Sequence, residues 1–390
     1  MQSNVIETAG EDSAEAMVPR FYPGPPVTAA PTVRSPVGLL TVVAACLLYG
    51  CGGPARVAAP QAGAAERAAP AVERVTATRR LMGVPWTITV YAPSLAAGTV
   101  AIEAGFAEVA RLEAILSDYD PSSELSQLSA RAPTAQPVPI GEDLGRVLAR
   151  AVAIRDVTGG GFDPTVGPLT TLWRQARRAG RLPAADKLAA ARGAVGPETL
   201  VLEADGRAAV LTRAGMRLDL GGIGMGYTVD RALEILGTMG IDAAMIDASG
   251  DIAVSGPPPG AAGWVIDATP LPRSPAGPEA RLMLAHAAVT TSGDAYQAVE
   301  IEGRRYSHIV DPRTGLGVAG PAAVTVVARD CTTADALATA ASVLGPEAAG
   351  AVIAAEPGCA AWFVWHERGE VRQVRTPRWP AHAAPGPTAP

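Results

Sequence analysis

Asp335 and Thr339 stand four residues apart in ADALATAASVLG (334–345), a run whose alanine and leucine content predicts a helix, so a carboxylate and a hydroxyl fall on one helical face. Two oxygen donors one turn apart suit a hard cation such as Mg²⁺, and a solvated polar face is the other reading of the same spacing. Residues 218–236, LDLGGIGMGYTVDRALEIL, add a second chemical element. A short apolar strand there runs through Gly221, Gly222, Gly224 and Gly226 into an amphipathic helix, with Asp219 entering the turn and Asp230 in the helix. Without Cβ atoms the main chain can approach a phosphate or a metal closely, although a structural strand-to-helix corner uses the same residues. The dinucleotide fingerprint G-x-G-x-x-G is not met, because Tyr227 occupies the place of its third glycine, and no phosphate-loop lysine follows.

His308 lies in YSHIVDPRTG (306–315), between a strand and a turn, where an acid–base role and a satisfied structural role are equally open. GGGFDPTVGPL (159–169) is a proline-locked loop presenting Asp163 and Thr165, and Tyr119 sits in a polar turn, SDYDPSSELSQL (117–128), where it reads as a surface aromatic. Four Gly-, Asp- and Thr-bearing turns, each following a strand or a helix, exceed what one core needs and point to a convergent pocket.

The elements that must position these turns alternate along the chain. Period-2 patterning predicts strand over 74–91, 200–211, 216–220, 243–246, 287–291, 322–328 and 360–365, with a hairpin about Glu302 and Gly303. Period-3.6 patterning predicts helices over 101–116, 144–158, 172–180, 183–194, 228–239 and 332–344. On periodicity alone the class is α and β mixed.

Composition narrows the function. The chain has 390 residues, 48% of them hydrophobic, and a net charge of −6 with both signs scattered, so no basic stripe exists to neutralise a nucleic-acid backbone. Residues 1–36 lack hydrophobic periodicity and are expected to be disordered. VGLLTVVAACLLYG (37–50), uncharged and fourteen residues long, suits a signal-peptide core better than a membrane span. It runs into Cys51 in a pattern that resembles a bacterial lipobox; Cys46 is the rival acylation site, with a shorter apolar core before it. Residues 52–72 read as a flexible tether, 73–375 as the folded domain and 376–390 as a disordered tail. The domain then keeps only Cys331 and Cys359, expected as two buried thiols; spacing alone does not establish a disulfide.

Taken together, MG near Met82, SDYDPSSELSQL, GGGFDPTVGPL, LDLGGIGMGYTVD, DASGDI, TTSGDAYQAV, YSHIVDPRTG and ADALATAASVLG resemble, in order and spacing, the bacterial FAD:protein FMN transferases of the ApbE family over roughly residues 75–360. The resemblance implies an α+β fold, with mixed or antiparallel sheets and packed helices in two interlocked subdomains. It implies Mg²⁺-dependent cleavage of the FAD pyrophosphate, transfer of FMN through a phosphoester to a threonine or serine of an acceptor flavoprotein, and release of AMP. By position, Gly222, Asp335, Ala338 and Thr339 match the metal site, with Gly222 and Ala338 contributing carbonyls. Met82, Tyr119, Gly161, Phe162, Asp163, Asp219, Met225 and Ile309 match flavin and adenine contacts, and His308 matches the acid–base histidine. Met225 departs from the pattern, which usually has lysine there and sometimes glutamate. Family members sit on the periplasmic side of the cell envelope, anchored to the membrane, in keeping with the signal segment. A flavin-binding or FAD-trafficking lipoprotein and an FAD pyrophosphatase giving FMN and AMP are the competing functions.

Overall fold

The computed structural model describes residues 72–268, 280–293, 297–319, 322–367 and 369–380. The N-terminal extension, the signal segment with Cys46 and Cys51, the tether through residue 71, Asp294 and residues 381–390 lie outside them.

Met82 and Gly83, at φ 49° and 79°, break the alternation expected over 74–91. The run therefore folds back as a hairpin, β1 (Glu73–Leu81) against β2 (Val84–Ala92), because a two-residue turn of this kind needs positive φ at both positions. Helix α1 (Leu95–Leu116) follows, opened by Ser94, whose side chain accepts the Ala97 N–H. Next come α2 (Glu124–Ala130), β3 (Val138–Pro139), α3 (Glu142–Val157), α4 (Gly167–Ala179) and α5 (Ala185–Arg192).

Four boundaries differ from expectation in the middle of the chain, the first being α4, which begins at Gly167 and not at 172. The run 200–211 is a hairpin, β4 (Leu200–Leu202) and β5 (Ala208–Leu211), with Gly206 at φ 69° in its turn. Residues 216–220 form no strand: only Arg217 makes a bridge, with Val166, while Leu218 N–H goes to the Ser129 hydroxyl and Asp219 N–H to the Pro164 carbonyl. Backbone polar groups here are satisfied by a loop and a helix instead of a sheet. Helix α6 (Gly224–Thr238) begins four residues before the expected 228, so the second half of the glycine turn is already helical.

The remaining elements are β6 (Ala243–Ala248), β7 (Asp251–Val254), β8 (Trp264–Ala268), β9 (Ala280–Leu284), β10 (Ala287–Gly293), β11 (Val299–Ile301), β12 (Arg304–Val310), β13 (Gly317–Ala319), β14 (Ala322–Ala328), α7 (Cys331–Ala355), β15 (Ala360–Glu367) and β16 (Glu370–Arg375). Helix α7 was expected to stop at 344; it breaks at Gly345 (φ 78°) and Pro346, then continues to Ala355.

Eight strands form an antiparallel sheet in the order β1-β2-β6-β7-β10-β14-β15-β16. Helices α1, α6 and α7 cover one face, where Trp86, Ile88, Phe106, Leu112, Leu236, Ile246 and Leu337 make the main core. The apolar length of α7 is explained by that burial. The β8–β9 ribbon belongs to a second core on the same sheet, with Trp264, Ile266, Leu282, Trp362 and Trp379. Trp379 and the Thr376 hydroxyl, which accepts the Ala361 N–H at 2.8 Å, tie the chain after β16 to β15, so the tail expected from residue 376 is ordered through Pro380. A smaller part joins α4 and α5 to the sheet β11-β12-β13 around Leu169, Trp173, Ile301, Tyr306 and Val310. The class is α+β, with antiparallel sheets throughout the described residues.

Candidate active site at the crossing of α6 and α7

The glycine turn and the Asp335–Thr339 face meet. A Cβ on Gly226 would lie 2.3 Å from the Cys331 carbonyl oxygen and 2.9 Å from Asp335 Cβ, so only glycine lets α6 lie this close to α7. The Gly226 N–H, freed at the helix start, donates to Asp335 Oδ2 at 3.1 Å. One turn earlier, a Cβ on Gly222 would sit 2.8 Å from both Oγ1 and Cγ2 of Thr339. Asp230 sets the register: its carboxylate accepts the Cys331 and Thr332 N–H groups, both at 2.8 Å, and the Thr332 hydroxyl at 2.5 Å. Asp330 caps the same helix through the Thr333 N–H.

The crossing is short of positive charge. Asp335 is 5% exposed, and among the described residues no arginine or lysine pairs with it. Burial, helped by the Asp251 charge, pushes its carboxyl well above the usual range, against the pull of the Gly226 N–H. Burial also raises Asp251 to about 7 although the Thr290 hydroxyl donates to it at 3.0 Å, and raises Asp230 to about 6. The Ala338 carbonyl accepts the Ser342 hydroxyl at 3.0 Å, and Ser292 Oγ stands 3.5 Å from Thr339 Oγ1. Among the described residues no group of three His, Cys, Asp or Glu is placed to hold a metal. The donors gathered here are one carboxylate and neutral oxygens, a set that suits Mg²⁺.

A second carboxylate cluster lies at the seam of α4. Arg174 bridges Asp118 Oδ2 at 2.5 Å and Asp219 Oδ2 at 3.2 Å, and its guanidinium stacks 4.3 Å from the Tyr119 ring centroid. Asp219 also accepts the Thr170 hydroxyl at 2.6 Å and the Gly221 N–H at 2.8 Å, which ties this seam to the glycine turn. Arg217 donates to the Asp118 carbonyl. Asp118 is nonetheless held above the usual carboxylate range, by burial first and the Asp219 charge second.

The other expected site residues are placed as follows. Asp163 spends its carboxylate on the Thr165 N–H and hydroxyl, at 2.8 and 2.7 Å, as a local turn lock. Gly161 faces Leu344, whose Cγ would lie 2.6 Å from an added Cβ, and Phe162 is buried in the main core. Met82 and Met225 are half-buried against that core. The Ser249 hydroxyl donates to the Pro85 carbonyl at 3.4 Å, so the β6–β7 turn and the Met82 hairpin share one end of the sheet. His308 and Ile309 are half-buried on β12, which packs against α4 and α7. Trp173 Nε1 donates to the Ser307 carbonyl at 2.9 Å, and Arg313 reaches the Val343 carbonyl at 3.4 Å, anchoring the strand and its following turn to α4 and α7. Sequence reasoning gave no role to Asp251, Thr290, Asp118, Arg174 or Arg217. The quoted blocks SDYDPSSELSQL, DASGDI and TTSGDAYQAV contain Asp118, Asp251 and Thr290, whereas Arg174 and Arg217 lie outside every quoted block.

This architecture belongs to a class of solved enzymes. The flavinyl transferase ApbE of Pseudomonas stutzeri matches with TM-score 0.69 at 28% identity, over 78% of this chain and 95% of that one. The flavin transferase ApbE of Vibrio cholerae matches with TM-score 0.70 at 27% identity, over 79% and 98%. In sequence, the FAD:protein FMN transferase of Treponema pallidum is 30% identical over 344 residues, which are 84% of this chain and 91% of the relative. The ApbE family model matches residues 82–363, and the chain belongs to the ApbE family.

Proposed function

We propose that this chain is an FAD:protein FMN transferase that works with Mg²⁺, cleaves the FAD pyrophosphate, joins FMN through a phosphoester to a threonine or serine of an acceptor flavoprotein, and releases AMP. Family membership and the activity named for its relatives support the flavin-transferase class. The observation that carries the finer reading is the crossing itself, where Gly222 touches Thr339 one turn from a buried Asp335 that no described cation neutralises.

Asp335, Thr339 and the carbonyls of Gly222 and Ala338 would hold Mg²⁺, which supplies positive charge against the charge that develops on a pyrophosphate during phosphoryl transfer. The chain's own groups do the rest. His308, half-buried on β12, takes the proton of the acceptor hydroxyl as that oxygen forms a bond to the flavin-side phosphorus. The bond from that phosphorus to the bridging oxygen breaks, and its electron pair leaves with AMP. Met82, Tyr119, Met225, Ile309 and the Gly161–Phe162–Asp163 and Asp219 backbones shape the flavin and adenine contacts. Cys51, acylated and then made the new N-terminus, would tether the domain through residues 52–72 to a membrane on the periplasmic side of the envelope.

Incubating the protein with FAD, Mg²⁺ and a candidate acceptor domain tests this directly. The expected product is an acceptor heavier by one FMN, with AMP released in equal amount. FAD consumed to free FMN and AMP without an adduct would instead make the chain a pyrophosphatase.

A further inference from the structure

Helix α4 presents two arginines one turn apart, Arg174 and Arg177, with opposite fates. Arg174 is paired with Asp118 and Asp219 and stacks on the Tyr119 ring. Arg177 pairs with no carboxylate among the described residues. Its Nη2 donates to the Gln297 carbonyl at 3.2 Å, and its Nε is buried with no acceptor. A guanidinium carries five N–H donors, so most of this one is unspent. Burial disfavours its positive form, Tyr119 partly offsets that, and the Arg174 charge adds to it; a nearby oxyanion would favour the charged form.

Beside it stands a ring that the fold leaves open. Tyr119 remains 76% exposed although Arg174 stacks on it, and its phenol lies within electrostatic reach of Arg177. The same helix is tied through Trp173 to Ser307, next to His308. A surplus guanidinium beside an open aromatic face, on the helix that braces the His308 strand, has the chemistry to recognise a flat ring carrying a phosphate.

We propose that Arg177 binds a phosphate of the dinucleotide substrate whose ring lies against Tyr119; the proposal rests on the FAD reading given above.

The test uses the full-length protein and its Arg177→Gln and Arg177→Lys variants. Binding of FAD, FMN, AMP and riboflavin is titrated at two salt concentrations, with Tyr119→Ala as a parallel variant. Arg177→Gln is expected to weaken FAD, and whichever of FMN or AMP carries the contacted phosphate, by roughly tenfold or more, with a flatter salt dependence. Riboflavin, which has no phosphate, should change by less than about twofold, and Arg177→Lys should recover part of the loss. Equal weakening of riboflavin and FAD, or no weakening of FAD, overturns the proposal. The same holds if FAD binding is unchanged while the KM for the acceptor protein rises, which would assign Arg177 to the acceptor. Wild-type protein that binds no FAD overturns the underlying reading itself, whereas FAD binding that Tyr119→Ala weakens and Arg177→Gln does not leaves that reading standing and removes only Arg177.

Discussion

Two buried carboxylate clusters lie on either side of the glycine turn, and they are built in opposite ways. At the α4 seam Asp118 and Asp219 share one arginine, and Asp219 gains two further donors, Thr170 and Gly221. At the α6–α7 crossing Asp335, Asp251 and Asp230 are met, among the described residues, only by hydroxyls and backbone N–H groups, and burial drives all three carboxyls up. A buried charge pair is costly to break but complete in itself. Buried carboxyls with no cation beside them are held toward their neutral form, and a cation bound at Asp335, as proposed above, would reverse that shift. The first cluster braces α4 against the glycine turn, and the second is where the proposed Mg²⁺ would sit.

Breaking the second cluster should have the largest effect. Asp335→Ala removes the one charged donor of the proposed metal set while keeping a helix former, so transfer should fall below detection with the far-UV circular dichroism unchanged. Retained Mg²⁺-dependent turnover in that variant would refute the assignment. His308→Ala should lower turnover by about two to four orders of magnitude with FAD affinity kept, as for a group that moves one proton. Loss of FAD affinity with turnover of bound FAD intact would make His308 a binding residue.

Breaking the complete cluster should act on stability first. Asp219→Asn withdraws the charge that Arg174 and Thr170 meet, and denaturant unfolding should report a loss of about 2 kcal/mol. The effect sharpens the contrast because the same change at Asp335 should not destabilise the metal-free protein. The smallest effect belongs to Met225, which is half-buried against the core. If the turn's N–H groups and Mg²⁺ already balance the pyrophosphate, Met225→Lys should shift FAD affinity by no more than about 1 kcal/mol. A tenfold gain that fades at high salt would show the site short of a fixed cation.

The α6–α7 crossing was the more legible of the two. Its parts are local patterns: four glycines before a helix, and a carboxylate and a hydroxyl one turn apart on another. Residue type there reports backbone need, since Gly226 and Gly222 are places where no Cβ fits against α7. The α4 seam was hidden because it joins residues 45 and 56 positions apart, and the pairing of Arg174 follows from helix placement that no local period encodes. Likewise the expected strand over 216–220 had the right alternation, but the Pro164 carbonyl and the Ser129 hydroxyl took the hydrogen bonds a sheet would have used. The β1–β2 turn was obscured because Met82 takes positive φ, a conformation its residue type does not advertise.

Thermal unfolding of wild-type protein and Asp335→Asn, each with chelator and with millimolar Mg²⁺, tests the central claim most directly. Because the folded-state pKa of Asp335 is raised, the metal-free wild type has its full stability from this group below about pH 4 and loses it as the pH rises. At neutral pH without metal the Asn variant should therefore melt at or above the wild type, and the gap should close near pH 4. Mg²⁺ should raise the wild-type midpoint by the free energy of its binding and leave the variant unmoved. An equal Mg²⁺ response in both proteins, or a metal-free variant that melts well below the wild type, would contradict the account.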